Sequence, residues 1–413
     1  MKRQLAAAAS IAVLGLSLTA CSGGSSSGDG GGDTGTITYA IWDENQKPAM
    51  EQIAQTFEAE NPGAKVEIQL TPNSQYWTKL QTAMSGGNGP DVMWMNGPQF
   101  GLYASEGQLA PLEDTGLDKA NYPSSLTDLY TFDGKLYGAP KDFDTVALWY
   151  NKDLLKKAGV DVPTTWAEMQ SAAKKLTTGD VKGFAAANYT QENVYDVIAQ
   201  AGGEVISADH KTSGYGSPQA LEGVNYLLSF IKDGSSPTAQ QMVDTLPEDQ
   251  FMAGKVAMIY MASYEALPFS QSSVAKSIDV APLPEGPAGN QSVIHGLANV
   301  ANAKSKHLTL AKKFAAYASG EEASKLQADT GTVIPAYNGT QDAWVKSMPQ
   351  YDLQVHLDAV DGSVPYPISL RRSEWSQLEK DALPQIWAKP ETAEAGLKQL
   401  GADMQAKLDA ENE

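Results

Sequence analysis

The sequence predicts an α/β protein folded around two cores, and three observations carry that expectation. Runs with apolar residues at every second position alternate along the chain with runs whose apolar residues return every three or four. The stretch "PDVMWM", residues 90–95, is almost continuously apolar, as expected of a strand buried on both faces. Finally, 413 residues is long for one hydrophobic core and comfortable for two.

The elements follow in order. "TITYAIW" carries Ile37, Tyr39 and Ile41 with a period of two and reads as a strand. After a break, Met50, Ile53, Ala54 and Phe57 share one helical face, which ends at Asn61-Pro62-Gly63. "KVEIQL" alternates again, and 76–85 reads as a helix closed by Gly86-Gly87. With "PDVMWM" this makes strand, helix, strand, helix, strand, the pattern of an α/β layer with a mainly parallel sheet. Asp133-Gly134 in "YTFDGKLYGAP" signals a hairpin. "TVALWY" reads as a strand, and Thr164-Thr165-Trp166-Ala167-Glu168 as a capped helix start running to Leu176. "KVAMIYM" is strand-like and 310–318 helical. The last helix places Leu397, Leu400, Met404 and Leu408 on one stripe.

Composition narrows the function. Forty-nine acids against 30 bases give a net charge of -19, which argues against nucleic acid and against electrostatic attachment to anionic lipid. One cysteine excludes an intramolecular disulfide and a cysteine-based zinc site. That cysteine sits at a seam. Lys2 and Arg3 precede an apolar run to Leu18, too short to span a bilayer, and Leu18-Thr19-Ala20-Cys21 resembles the bacterial lipobox. The resemblance implies a signal peptide over residues 1–20 and a lipidated Cys21 as the mature N-terminus. Residues 22–35, nearly all Gly, Ser, Asp and Thr, then form a flexible tether with a reach of roughly 20 Å. The tether contains Gly24-Ser25-Ser26-Ser27-Gly28, a match to the serine-hydrolase G-x-S-x-G that means nothing outside a strand–helix turn.

Several longer stretches are similar to the maltodextrin-binding-like, extracellular sugar-binding lipoproteins of ABC importers. They are "GNGPDVMWMN", "SEGQLAPLED", "YGAPKDFDTVALWYNKDLLKKAGVDVPTTWAEMQSAAKKL", "FMAGKVAMIYM", "VAPLPEGPAG" and the run from "GLANVANAK" to "TGTVIPA", in the family's order. The resemblance implies a two-lobed periplasmic-binding-protein-like fold with a hinge of about three strands. Lobe one takes residues 36–144 and 298–348, and lobe two 145–297 and 349–413. Crossings are expected near 142–147, near 294–298 and about 345–352.

A sugar offers hydroxyls at its edge and C–H on its faces, so its site wants aromatic planes together with carboxylates, amides or Arg. In α/β sheets such sites lie beyond the carboxyl ends of strands. The candidates there are Trp42, Asp43 and Gln46 after the first strand, Asn73 and Tyr76 after the second, and Asn96 after the third. Asp142 and Asp144 flank the first crossing. From lobe two come Tyr260, Ser263, Tyr264 and Glu265, with Asn188-Tyr189 as a weaker pair; His295 and Gly296 lie at the second crossing, and Tyr366, Arg371 and Trp375 in "YPISLRRSEW". Each has a plainer role open to it: core packing for the aromatics, turn or cap for the Asn and Asp residues.

The scattered histidines show no metal-ligand spacing, and there is no P-loop or dinucleotide fingerprint, so neither cofactor nor metal is expected. The expectation is a monomeric receptor, not an enzyme, held by its lipid anchor on the outer face of the cytoplasmic membrane of a Gram-positive bacterium. It would capture an oligosaccharide and deliver it to the transmembrane subunits of an ABC permease. A binding protein for a peptide, polyamine or phosphorylated polyol is the alternative, and a glycoside-processing enzyme a more distant one.

Overall fold

The computed structural model describes residues 32 and 34–411. The leader, Cys21 and the Gly24–Gly28 motif lie outside the described residues. The strands are β1 (Gly35–Ile41), β2 (Ala64–Leu70), β3 (Val92–Asn96), β4 (Thr131–Phe132), β5 (Lys135–Leu136), β6 (Gly138–Asp144), β7 (Val146–Asn151), β8 (Met258–Ala262), β9 (Ile278–Ala281), β10 (Val293–Ala301), β11 (Ile334–Pro335) and β12 (Val364–Pro365). They form a seven-stranded sheet ordered β11-β6-β10-β3-β1-β2, with β12 beside β10, a three-stranded sheet ordered β8-β7-β9, and the β4–β5 hairpin.

The first part of the chain builds as its pattern requires. β1 pairs in parallel with both β2 and β3. Helix Lys47–Glu60 begins with Pro48 in its first turn and buries Met50, Ile53, Ala54 and Phe57. Each large apolar side chain on that face contributes roughly 1.5–3 kcal/mol. Asn61 ends the helix by donating its side-chain amide to the Phe57 carbonyl at 2.8 Å. Val92, Met93, Trp94 and Met95 of β3 are fully buried, so this strand is covered on both faces. At the hairpin, Asp133 and Gly134 both take positive φ, which suits the twist of the two strands.

The expectation of a mainly parallel sheet holds for β1, β2 and β3 and for the short β10–β12 pair alone. β10 runs antiparallel to both β3 and β6, β11 antiparallel to β6, and the three-stranded sheet is antiparallel throughout. The cause is topological. β6 leaves the large sheet at Asp144 for the small one, and β10 re-enters beside it at the same end, so the two must run in opposite directions.

Only Thr145 separates β6 from β7, and the chain changes sheets there. Thr145 is fully buried. Its hydroxyl donates to the His356 carbonyl at 2.8 Å, and His356 Nδ1 donates back to the Thr145 carbonyl at 3.0 Å. Burial lowers His356 to about 4, so the ring is neutral near pH 7. An apolar cluster runs through this junction, with Phe143, Ala147, Trp149, Ile294, Ile334, Trp344 and Leu353 in contact. Beside the small sheet, Leu148, Met169, Leu227, Trp387, Leu397, Leu400, Met404 and Leu408 share another core. Thr165 caps helix Trp166–Leu176 by accepting from the Glu168 amide, and Glu168 accepts from the Thr164 amide at 2.8 Å.

Candidate ligand cleft

Beyond the carboxyl end of β1 the half-buried Trp42 ring lies 4.9 Å from Tyr76, 5.5 Å from Trp77 and 5.1 Å from Trp94, centroid to centroid. Asp43 turns its carboxylate back, accepting from the Asn45 amide at 2.9 Å and from Gln46 Nε2 at 2.8 Å. Gln46 Oε1 accepts from Lys141 Nζ, which also pairs with Asp142 and sits 4.4 Å over the Trp94 ring. Asp142 Oδ1 accepts from the Leu297 amide at 3.2 Å. A continuous polar chain thus joins the end of β1 to β6 and β10, around a lysine with no exposed surface. Such a cation is tolerable in the interior only because each of its partners is in place.

At the crossing, Asp144 accepts from Gln191 Nε2 and lies 3.8 Å from His295 Nδ1, its register partner on β10. Burial pushes the Asp144 carboxyl well above the usual carboxylate range, and nearby Glu192 and Asp142 push it further. The same burial lowers His295 to about 3, helped by the field of Arg372. The His295 ring lies 4.6 Å from that of Tyr366, whose hydroxyl accepts from Arg372 at 2.9 Å. Gly296 is a glycine for steric reasons: a Cβ there would stand 2.5 Å from the Asp142 carbonyl oxygen.

The other wall comes from three segments. A π-helical turn, Thr190–Tyr195, supplies Gln191 and Glu192; such turns often mark functional sites. Tyr264, just past β8, donates to Glu192 Oε1, and Tyr189 donates to Glu248 Oε2 at 3.0 Å. Glu265 is pushed up to about 7 by burial, then by Glu248, Glu192 and Asp249, and lastly by Asp43. Asp43 follows β1 of the large sheet and Glu265 follows β8 of the small one, so their mutual field spans the space between the two sheets.

The structure therefore brings together Trp42, Asp43, Gln46, Asp142, Asp144, Tyr189, Ser263, Tyr264, Glu265, His295, Gly296 and Tyr366. Other candidates fall elsewhere. Tyr76 is core: it is 2% exposed and donates to the Trp94 and Ala40 carbonyls, underpinning Trp42 from below. Tyr260 has no exposed surface and packs on Phe184 while its hydroxyl meets that of Tyr226; every residue of β8 is buried, so alternation carried no information there. Trp375 is equally buried, its indole donating to Ser369 and its ring lying 3.8 Å from the Arg372 guanidinium. Asn96 serves as a helix cap, accepting from the Gln99 amide at 3.2 Å, and Asn73 is exposed in the first turn of its helix. Arg371 lies at the surface paired with Glu374, while its neighbour Arg372 is the buried one, paired with Glu379 at 3.1 Å. Asn188 and Tyr189 both line a cavity of about 650 Å³ with Met242, Leu246 and Trp387, and Tyr189 meets the acidic wall through its hydroxyl on Glu248.

Sequence reasoning missed Trp77, Lys141, Gln191, Glu192 and Glu248. Trp77 had a usable signal, an aromatic directly after Tyr76 and about 100° round the same helix start. Lys141 had none, since a lysine inside a strand reads as surface. Among the described residues no group of His, Cys, Asp and Glu is arranged to hold a metal ion, despite the density of carboxylates.

A two-lobed α/β body with its polar groups gathered between two sheets is the architecture of a solute-binding protein. The bacterial extracellular solute-binding protein family matches residues 40–325, and the chain belongs to that family. It is 30% identical over 341 residues to the maltooligosaccharide ABC transporter solute-binding lipoprotein of Streptococcus pneumoniae (strain TIGR4), covering 78% of this chain and 77% of that one. It superposes with a TM-score of 0.84 on an ABC substrate-binding protein of Listeria monocytogenes solved in complex with cycloalternan, at 28% identity, over 91% of this chain and 99% of that one. Against a binding protein of Brucella abortus (strain 2308), 29% identical over 262 residues, the match covers 61% of this chain and 64% of that protein. The chain thus spans just under two thirds of that relative's length.

Proposed function

We propose that this protein is the receptor of an ABC importer and that it binds an oligosaccharide between its two sheets. The observation that carries the reading is the pairing of an aromatic shelf with a carboxylate arc. Trp42 and Trp77, tilted at 52° and both partly exposed, offer apolar planes to the C–H faces of a sugar ring. Asp43, Asp144, Glu192 and Glu265 offer acceptors for its hydroxyls. The maltooligosaccharide of the pneumococcal relative and the cycloalternan of the Listeria complex support a glucose-based chain.

The proposed lobes follow the chain's passage between the sheets, 36–144 with 298–348 and 145–297 with 349–413, turning about Thr145 and the start of β10. Ligand touching both walls favours the closed arrangement by its differential affinity for it. Cys21 carries the lipid that holds the receptor, as a monomer, on the outer face of the membrane, where the closed form is recognised by the permease. Tryptophan fluorescence titration with maltotriose, followed by chromatography of the recovered sugar, tests the reading. A saturable change with intact trisaccharide recovered supports it; no change with any oligosaccharide, or recovery of cleaved sugar, contradicts it.

A further inference from the structure

Beside the acidic wall lies a cavity that the saccharide reading leaves unused. It holds about 650 Å³, and Tyr189, Met242, Val243, Leu246, Pro247 and Trp387 are among the residues that line it. Among the described residues no charged side chain takes part in that lining. Val243 and Leu246 are 74% and 48% exposed, two of the four large hydrophobic side chains exposed among the described residues. A single exposed apolar residue is ordinary. Two that share one concave surface mark a place suited to an apolar visitor.

Hydrogen bonding in the lining says what that visitor is. The Thr238 hydroxyl caps helix Ala239–Asp244 by accepting from the Gln241 amide at 3.2 Å, and Gln240 Nε2 donates to Asp244 at 2.8 Å. The Trp387 indole donates to the Ala186 carbonyl at 2.8 Å and the Tyr189 hydroxyl to Glu248 at 3.0 Å. With these groups engaged, a sugar ring in the cavity would leave most of its hydroxyls unanswered, whereas an apolar group forfeits nothing. The cavity also adjoins the cleft. Tyr189 and Pro247 line it, while the Tyr189 hydroxyl and Glu248, next to Pro247, meet on the acidic wall. Within three residues of Tyr189, Gln191 donates to Asp144 at the crossing and Glu192 accepts from Tyr264. One short segment therefore separates the polar cleft from the apolar cavity.

We propose that the receptor takes a saccharide carrying an apolar aglycone, an aryl or short alkyl group, with the sugar in the cleft and the aglycone past Tyr189 in this cavity. The proposal rests on the saccharide reading above and narrows its substrate class. The two halves of such a ligand match the two surfaces that Tyr189 divides. The sugar meets carboxylates and the Trp42–Trp77 shelf, and the aglycone covers Val243 and Leu246, which otherwise face water.

Calorimetric titration of the purified full chain compares maltotriose, methyl α-maltotrioside and 4-nitrophenyl α-maltotrioside; the methyl glycoside fixes the anomer without adding a large apolar group. The aryl glycoside is expected to bind about ten-fold tighter than the methyl glycoside, with a more negative heat-capacity change. Leu246→Ser, at an exposed position, is expected to cut that advantage to about two-fold or less while leaving the methyl glycoside within about two-fold of the parent. Val243→Asp serves the same purpose if that variant fails to fold. Equal affinity for the aryl and methyl glycosides, or an advantage that survives the substitution, overturns the aglycone inference and leaves the saccharide reading standing. Free 4-nitrophenol binding as tightly as its glycoside overturns the sugar half of the proposal. Failure of all three sugars to bind overturns both.

Discussion

The two walls of the cleft solve the same problem in opposite ways. Around β1 and β6, buried polar groups are answered from within: Lys141 holds Asp142 and Gln46, and Asp43 has both oxygens occupied. Across from it, burial raises Glu192, Asp196 and Glu265 above their ordinary values, as it does Asp144 at the very end of β6, and the side chains of Asn193 and Ser263 find no partner. One wall is finished by the fold; the other leaves buried polar atoms without a partner among the described residues. Substitutions on the two walls should therefore move different observables, stability on the first and binding or pH response on the second.

The largest effect should come from the finished wall. Lys141→Met removes the cation and leaves Asp142 buried with its charge unanswered, at a cost of about 3–5 kcal/mol. Urea unfolding of the variant measures it, and a loss below about 1 kcal/mol would mean that water reaches this lysine and the contrast between the walls is false.

On the unfinished wall the sign reverses. The Glu265 carboxyl titrates higher in the folded chain, about 7, than at its ordinary 4.5. Its contribution to stability is therefore fully present below about 4.5 and is lost as pH rises through 7. Asp144, Glu192 and Asp196 are shifted in the same direction. Glu265→Gln should stabilise the unliganded protein by on the order of 2 kcal/mol at pH 8, with little change at pH 5. Thermal melts across that range check this, and an identical pH profile for variant and parent would show that Glu265 is already solvated.

Trp77→Ala sharpens the comparison from the ligand's side. Half-buried at the rim, Trp77 should matter to sugar affinity, by about ten-fold, more than to stability. Titration of the variant with maltotriose, beside its melting temperature, separates the two. Smallest of all on binding should be Tyr260→Phe. The lost hydroxyl contact with Tyr226 costs about 1 kcal/mol of stability, while affinity stays within about two-fold. A ten-fold loss of affinity would return Tyr260 to the site.

What could be read in advance followed from how each signal arises. Periodicity reports burial of one face and an unbroken apolar run burial of both, so β1, β2, β3 and helix Lys47–Glu60 were legible from their own residues. Strand direction was not, because β10 takes its orientation from a partner some 150 residues away. At the site, residues directly after strand ends, such as Trp42, Asp43 and Tyr264, were legible because a sheet puts its carboxyl ends at a cleft. Tyr76 against Trp77, and Arg371 against Arg372, were decided by which side of a helix turn meets the core, a matter of about 100° that composition does not encode. Lys141 and Glu192 depended on partners brought from distant segments.

The most direct test of the account is calorimetry of the chain with maltooligosaccharides of increasing length near neutral pH, run in parallel on Trp77→Ala. The account predicts saturable one-to-one binding by the parent, intact sugar recovered afterwards, and a clear loss of affinity in the variant. Absence of heat with every sugar, or equal binding by parent and variant, would contradict a saccharide site on the Trp42–Trp77 shelf.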